Sequence, residues 1–285
     1  MPVTILIIGK ESYIGNSFQN RLNRFSGNYR IEKISVRDSE WETKDFSGYD
    51  VIVYVSAIVH QKDKKYLREL YDQVNCETVV RVATKAKREG VKQFIFMSSM
   101  SVYGVSQGTI NHNTVPKPDS LYGKSKLSAE KELAPLDSEH FAVVMIRPPM
   151  VYGKNCKGNY IRLSSLAKKV PVFLKTANKR SMIYIDNLSE FIRLMIDNHE
   201  RGIFFPQNAE YVNTKHMVTL IAEANGKKMH FIAIPNIMLN LLLRIAVFHK
   251  VFGSLVYEQA MSRYPINYQV VDFEESIKQT ETKSF

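Results

Sequence analysis

The chain has 285 residues, 45% hydrophobic and 24% charged, a globular composition long enough for two domains or one large domain with an appended lobe. With 13 Gly, 10 Pro and two cysteines, Cys76 and Cys156, it is neither collagenous, low-complexity nor a disulfide scaffold, and a reducing, cytoplasmic setting is expected. Basic residues exceed acidic ones by 39 − 28 = 11, which attracts anions; the surplus is scattered, without an arginine-rich arm, zinc finger or aromatic RNA-binding signature, so nucleic acid is not an expected partner.

The apolar run at 3–8 reads as a buried first strand, since it lacks the basic leader and cleavage site of a signal peptide. It enters Gly9-Lys10-Glu11-Ser12-Tyr13-Ile14-Gly15, with a helix expected from Asn16. A weaker strand at 31–36 ends before Arg37 and Asp38. Further strands are expected at 51–55, 93–97 and 142–146, and helices at 66–88 and 122–133, where apolar residues recur at helical spacing. Alternating strands and helices predict an α/β fold with a doubly wound parallel sheet, because parallel strands need long crossover connections. Beyond Gly153 the pattern loosens at 156–162, 171–180 and from Lys227 onward, while 202–207 looks like a strand returning to the sheet. The expected division is a sheet domain over 1–155, rejoined by 181–210, and a smaller lobe from 156–180 and 211–285. The apolar stretch 237–256 is interrupted by Asn240, Arg244, His249, Lys250 and Gly253. That argues against a membrane span and for a packed helix, with a peripheral membrane contact as the lesser alternative.

Three groups of residues suggest chemistry. Gly9 and Gly15 allow a tight strand-to-helix turn whose unpaired N–H groups can face a pyrophosphate. Ser12 takes the middle position of the Gly-x-x-Gly-x-x-Gly form, so either its hydroxyl bonds the phosphate or the ligand sits displaced. The strand at 93–97 runs into Ser98-Ser99-Met100-Ser101, and ligands bind at the carboxyl ends of parallel strands. Tyr122 and Lys126, four apart on an expected helix, share a face; a cation beside a phenol of pKa ~10 favours the phenolate and makes a proton-transfer pair. The same spacing is common on solvated helices.

Together these residues resemble the extended short-chain dehydrogenase/reductase family of nucleotide-sugar epimerases, dehydratases and reductases. The likeness extends in order through Asp50-Val51, Ser56-Ala57, Asn75 with Thr78, Gly90-Val91-Lys92-Gln93-Phe94, Arg147-Pro148-Pro149-Met150-Val151-Tyr152-Gly153 and Arg180-Ser181-Met182-Ile183-Tyr184-Ile185-Asp186-Asn187. It implies a Rossmann-type sheet with a C-terminal substrate lobe, and a homodimer through the helix carrying Tyr122. Tyr122 would be the general acid/base, Lys126 would hold the nicotinamide ribose and depress the tyrosine pKa, and Ser99 would bond the reacting oxygen. Gly9, Ser12 and Gly15, with Tyr13 and Ile14 between them, would line the pyrophosphate. Ser56 and Ala57 would flank the cofactor, Asn75 would position it, and Pro148 and Val151 would lie beside the nicotinamide. Ser99, Met100 and Ser101 would face the sugar, and Asn159 and Arg180 its diphosphate. For Asn75 and Asn159 a local turn or cap is the alternative. No metal is implied.

Family dehydratases carry an Asp-Glu pair where this chain has Met100-Ser101, which disfavours dehydration. The resemblance is nearest to reductases of capsule and O-antigen synthesis acting on a UDP-4-keto-6-deoxy-N-acetylhexosamine, with UDP-hexose 4-epimerisation as the alternative. A non-catalytic NAD(P)-sensing protein is a further alternative, opposed by the intact Ser99, Tyr122 and Lys126. Cofactor choice between NADP(H) and NAD(H) turns on Ser35-Val36-Arg37-Asp38: Arg37 suits a 2′-phosphate and Asp38 a free ribose, and Arg37 nearer the strand end favours NADPH.

Overall fold

The computed structural model describes residues 1–59, 67–233 and 253–282. Residues 237–252 of the apolar stretch lie outside them. The first half of the chain contains β1 (Val3–Ile8), α1 (Tyr13–Leu22), β2 (Tyr29–Ile34), α2 (Glu40–Thr43), β3 (Val51–Tyr54), α3 (Arg68–Asp72), α4 (Thr78–Arg88), β4 (Gln93–Met97), β5 (Gly108–Ile110) and α5 (Leu121–Leu133). There follow β6 (Ala142–Ile146), β7 (Met150–Tyr152), α6 (Asn159–Lys169), β8 (Val172–Leu174), β9 (Met182–Tyr184), α7 (Ile185–Asp197) and β10 (Gly202–Phe204). The last described elements are α8 (Thr214–Ala224), β11 (His230–Ile232), β12 (Leu255–Tyr257) and α9 (Phe273–Glu281).

Six strands form one sheet in the order β10-β6-β4-β3-β1-β2, every pair parallel. Alternate residues of each strand point to opposite faces, and both faces are covered. Ile5, Ile7, Val51, Val53, Ile95 and Val144 pack against Phe18 and Leu22 of α1 and Leu188, Phe191 and Ile192 of α7. Leu6, Ile8, Ile52, Phe94, Phe96 and Val143 pack on the other side against Val79, Val82 and Ala83 of α4 and Ala129 and Leu133 of α5. This is the doubly wound Rossmann-type architecture. The chain leaves β1 for β2 on one flank and returns to β3 on the other, and this reversal opens a crevice at the carboxyl ends of β1 and β3.

Beyond the sheet, β7 pairs with β9, β8 with β11 and β12 with β5, all parallel. Tyr152, Tyr160, Phe173, Tyr184, Met217, Ile221 and Ile277 form a third core among β7, α6, β8, β9, α8 and α9. Glu281 fastens α9 there, accepting from Tyr160 and Ser164 at 2.8 Å and pairing with Lys168 at 2.6 Å. No helix among the described residues is long and apolar enough to cross a membrane.

The returning strand expected at 202–207 ends at Phe204, and three other expectations shift for a local reason. The first helix starts at Tyr13 rather than Asn16, because the Ser12 side chain caps it by accepting from the Gly15 N–H. The second strand runs from Tyr29 to Ile34, two residues early, and ends where the N–H groups of Gly9 and Lys10 both bond the Ile34 carbonyl. The expected helix 66–88 divides into α3, a π-helical turn Gln73–Glu77, and α4.

Candidate active site

The turn after β1 packs closely against the end of β3. Gly9 has φ +128°, and a Cβ there would stand 3.1 Å from the Ser56 N atom; a Cβ on Gly15 would stand 3.1 Å from Ile7 Cγ2. A Cβ at either position would crowd these neighbours, and the backbone of Gly9 is in the region that favours glycine. Ser12 settles the question its side chain raises: the hydroxyl donates to the Val55 carbonyl at 3.3 Å and accepts from Gly15 N at 3.3 Å. It is engaged inside the turn as a cap, so the expectation of a hydroxyl bond to phosphate is not what the geometry offers. Tyr13 and Ile14 open the helix, and N–H groups in that position have no intrahelical acceptor. Their side chains and Val151 of β7 pack against the same apolar core, so the glycine turn and the expected nicotinamide segment border one cluster.

At the end of β4, Ser99 starts the 3₁₀ turn Met100–Tyr103. Its hydroxyl accepts from Ser101 N and donates to the Ser101 hydroxyl, both at 3.1 Å. Met100 N donates to the Pro148 carbonyl at 2.9 Å, which binds the Ser99 turn to the segment after β6. Ser120 caps α5 by accepting from Gly123 N, and Tyr122 and Lys126 lie within the first two turns. A Cβ on Gly123 would lie 2.5 Å from the Ser101 carbonyl oxygen, so this glycine sets how closely α5 approaches the Ser99 turn. Tyr122 and Ser99 share a side-chain hydrogen bond. Lys126 is 1% exposed and donates to the Met97 carbonyl at 2.8 Å, its ammonium 4.5 Å from the centre of the Phe96 ring and 5.9 Å from that of Tyr122.

Burial decides the electrostatics. It lowers the Lys126 pKa to about 7, against the pull of Glu130. It also raises the Tyr122 pKa to about 12, although the Ser99 hydrogen bond opposes this. In this structure the phenol is therefore protonated at neutral pH, the reverse of the phenolate suggested by Tyr-Lys spacing alone.

Asn75 is fully buried and committed to the protein: its side chain accepts from Ile58 N at 2.8 Å, donates to the Ile58 carbonyl at 3.1 Å and to Ser125 Oγ at 3.2 Å. It thereby fixes Ile58, at the end of the loop carrying Ser56 and Ala57. Arg37 and Asp38 are exposed; Arg37 N bonds Ser35 Oγ, and the Asp38 carboxylate accepts from Glu40 N at 3.3 Å. Asn159 is exposed at the first position of α6. Arg180 donates to the Gly253 carbonyl at 3.0 Å, keeps a buried Nε without a hydrogen bond, and has its pKa lowered by burial. Among the described residues it has no ion-pair partner. No metal-binding cluster occurs among the described residues.

The sequence reading overlooked Gly123 and Ser125. Gly123 carried a signal, since a glycine inside a helical pattern marks close backbone approach. Ser125, which donates to the Tyr122 carbonyl at 3.0 Å and receives Asn75, carried none.

Residues 4–205 match the family described as the NAD dependent epimerase/dehydratase family. The chain is 32% identical over 286 residues to a UDP-glucose 4-epimerase of Vibrio cholerae, covering 89% of this chain and 84% of that protein. Among solved structures, UDP-glucuronic acid 4-epimerase from Bacillus cereus in complex with NAD superposes with a TM-score of 0.73 at 17% identity, covering 98% and 97% of the two chains. A dTDP-4-dehydrorhamnose reductase from Bacillus anthracis str. Ames in complex with NADP gives 0.72 at 18% identity, covering 98% and 99%. The structural likenesses carry the fold alone, but the match over residues 4–205 and the Vibrio relative carry more: the chain belongs to the NAD-dependent epimerase/dehydratase family of extended short-chain dehydrogenase/reductase enzymes.

Proposed function

We propose that this chain reduces the 4-keto group of a UDP-4-keto-6-deoxy-N-acetylhexosamine, with Tyr122 as proton donor. The observation that carries the reading is the grouping of Ser99, Tyr122 and Lys126 at the carboxyl end of β4, with the Lys126 ammonium 5.9 Å from the centre of the Tyr122 ring. A protonated phenol is ready to donate to the oxygen of a ketone as it becomes an alcohol. The Gly9–Gly15 turn fits a dinucleotide, since its glycines leave room for backbone approach and the helix start offers N–H groups. Gly9, Tyr13, Ile14 and Gly15 would cradle the pyrophosphate, Ser56 and Ala57 would flank the cofactor, and Pro148 and Val151 would face the nicotinamide. When bound, the cofactor supplies the hydride. Ser99 would hold the reacting oxygen, Lys126 the nicotinamide ribose, and Arg180 with Asn159 the sugar diphosphate.

NADPH is the favoured cofactor, because β2 ends at Ile34 without an acid and Arg37 is free to meet a 2′-phosphate. The segments 156–180 and 211–285 would form the substrate lobe, and a second copy would pack on α5; sedimentation would detect the dimer.

A second reading, 4-epimerisation of a UDP-hexose, draws support from the Vibrio cholerae relative. The two reactions diverge after the first hydride transfer. A reductase releases oxidised cofactor every cycle, whereas an epimerase keeps it and returns the hydride. Protein purified free of cofactor, oxidising one NADPH per sugar, supports reduction. Retained NAD with interconversion of UDP-glucose and UDP-galactose, and no cofactor added, decides for epimerisation.

A further inference from the structure

One turn beyond Lys126 lies a buried ion pair that the proposed proton transfer does not use. Glu130 and Arg147 are 3% and 6% exposed. Arg147 donates from Nε to Glu130 Oε1 at 2.9 Å and from Nη2 to Oε2 at 2.6 Å, and its Nη1 donates to the Tyr103 hydroxyl at 2.9 Å. The Tyr257 hydroxyl donates to the Arg147 carbonyl at 2.9 Å. A buried pair is often replaceable by apolar residues of similar volume without loss of stability, so stability alone does not account for it.

Its connections do. Glu130 stands on α5 with Tyr122 and Lys126. Arg147 directly precedes Pro148, whose carbonyl receives Met100 N. Tyr103 closes the 3₁₀ turn that Ser99 begins. The three elements delivering the proton donor, its hydroxyl partner and the nicotinamide-facing segment thus meet at one guanidinium.

We propose that Glu130 and Arg147 are positioning residues that hold α5, the Ser99 turn and Pro148 in one register, and that the Glu130 carboxylate keeps Lys126 charged for cofactor binding. The proposal rests on Lys126 holding the nicotinamide ribose. The groups around Lys126 are Tyr122 and Glu130 on its own helix, the Phe96 ring and Met97 carbonyl of β4, Tyr71 of α3 beside Tyr122, and Arg147 behind Glu130. Burial drives the ammonium toward loss of its proton, and Glu130 is the group that opposes it.

The test is NADPH affinity as a function of pH, followed by nucleotide fluorescence, for the wild type, Glu130→Gln and Arg147→Gln, with folding checked by thermal melting. It needs no sugar, so it can succeed even if the C4 chemistry is wrong. In the wild type, affinity falls as pH rises through about 7. Glu130→Gln removes the attracting charge and moves that midpoint down by about one unit, while Arg147→Gln leaves the carboxylate unneutralised and moves it up. A merely structural pair would weaken binding without opposite shifts. A folded Glu130→Gln protein with an unmoved midpoint overturns the proposal. Should that variant not fold, an unmoved or lowered midpoint in Arg147→Gln does so. A wild-type affinity flat from pH 6 to 9 overturns the placement of Lys126 and this proposal with it.

Discussion

Lys126 shows how burial at a single residue trades stability for chemistry. Its folded pKa is about 7 against an ordinary 10.5, so the unfolded chain binds more protons between those values. Its contribution is therefore a full penalty below pH 7, relieved as pH rises toward 10.5. At ~1.4 kcal/mol per unit the penalty is on the order of a few kcal/mol. Lys126→Met should melt higher than wild type at pH 6, the gain shrinking between pH 7 and 10.5, while turnover is lost; equal melting at pH 6 would contradict this. Arg37 makes the opposite case, an exposed residue with nothing to lose in the fold. If it meets the 2′-phosphate, Arg37→Ala should weaken NADPH by one to two decades, roughly 1.5–3 kcal/mol, and spare NADH. Equal losses for both cofactors would assign it a general electrostatic role.

Among the elements, α5 is the one whose placement matters most for the proposed proton transfer. Gly123 lets it approach the Ser101 carbonyl to a distance that no side chain allows. Gly123→Ala should therefore push α5 away from the Ser99 turn, costing ~1–3 kcal/mol in stability and depressing turnover more than cofactor affinity; a variant with wild-type stability and turnover would refute that close approach. The α5 helix was legible from Tyr122 to Leu133 because apolar residues recur at helical spacing; its Ser120 cap was not read from the sequence. The helix expected across 66–88 was legible only in part. Its π-helical turn directs Asn75 inward to Ile58, a contact 17 residues away that no local periodicity records. The start of α1 was misplaced because Ser12, weighed as a phosphate ligand, is the cap.

For the whole molecule, five of the six sheet strands were readable as short apolar runs followed by turn residues, while β2, carrying Arg30, Glu32 and Lys33, was legible only weakly and two residues out of place; the crossover logic then dictates a parallel sheet. The crevice between β1 and β3 results from that order, so the grouping of the glycine turn with Ser56 was legible too. The other pairings were not: β12 with β5 and β8 with β11 join three-residue strands far apart in sequence. The Arg147 network likewise joins Tyr103 to Tyr257 across the chain. The account turns on Tyr122 as proton donor to a 4-keto sugar at the carboxyl end of β4. The most direct measurement is the oxidation of NADPH by purified protein supplied with a UDP-4-keto-6-deoxy-N-acetylhexosamine, compared with Tyr122→Phe, which keeps the ring and the fold. The expected result is one NADPH oxidised per 4-hydroxy sugar by the wild type and at least ~10²-fold slower turnover by the variant; near wild-type turnover by a folded Tyr122→Phe protein would contradict it.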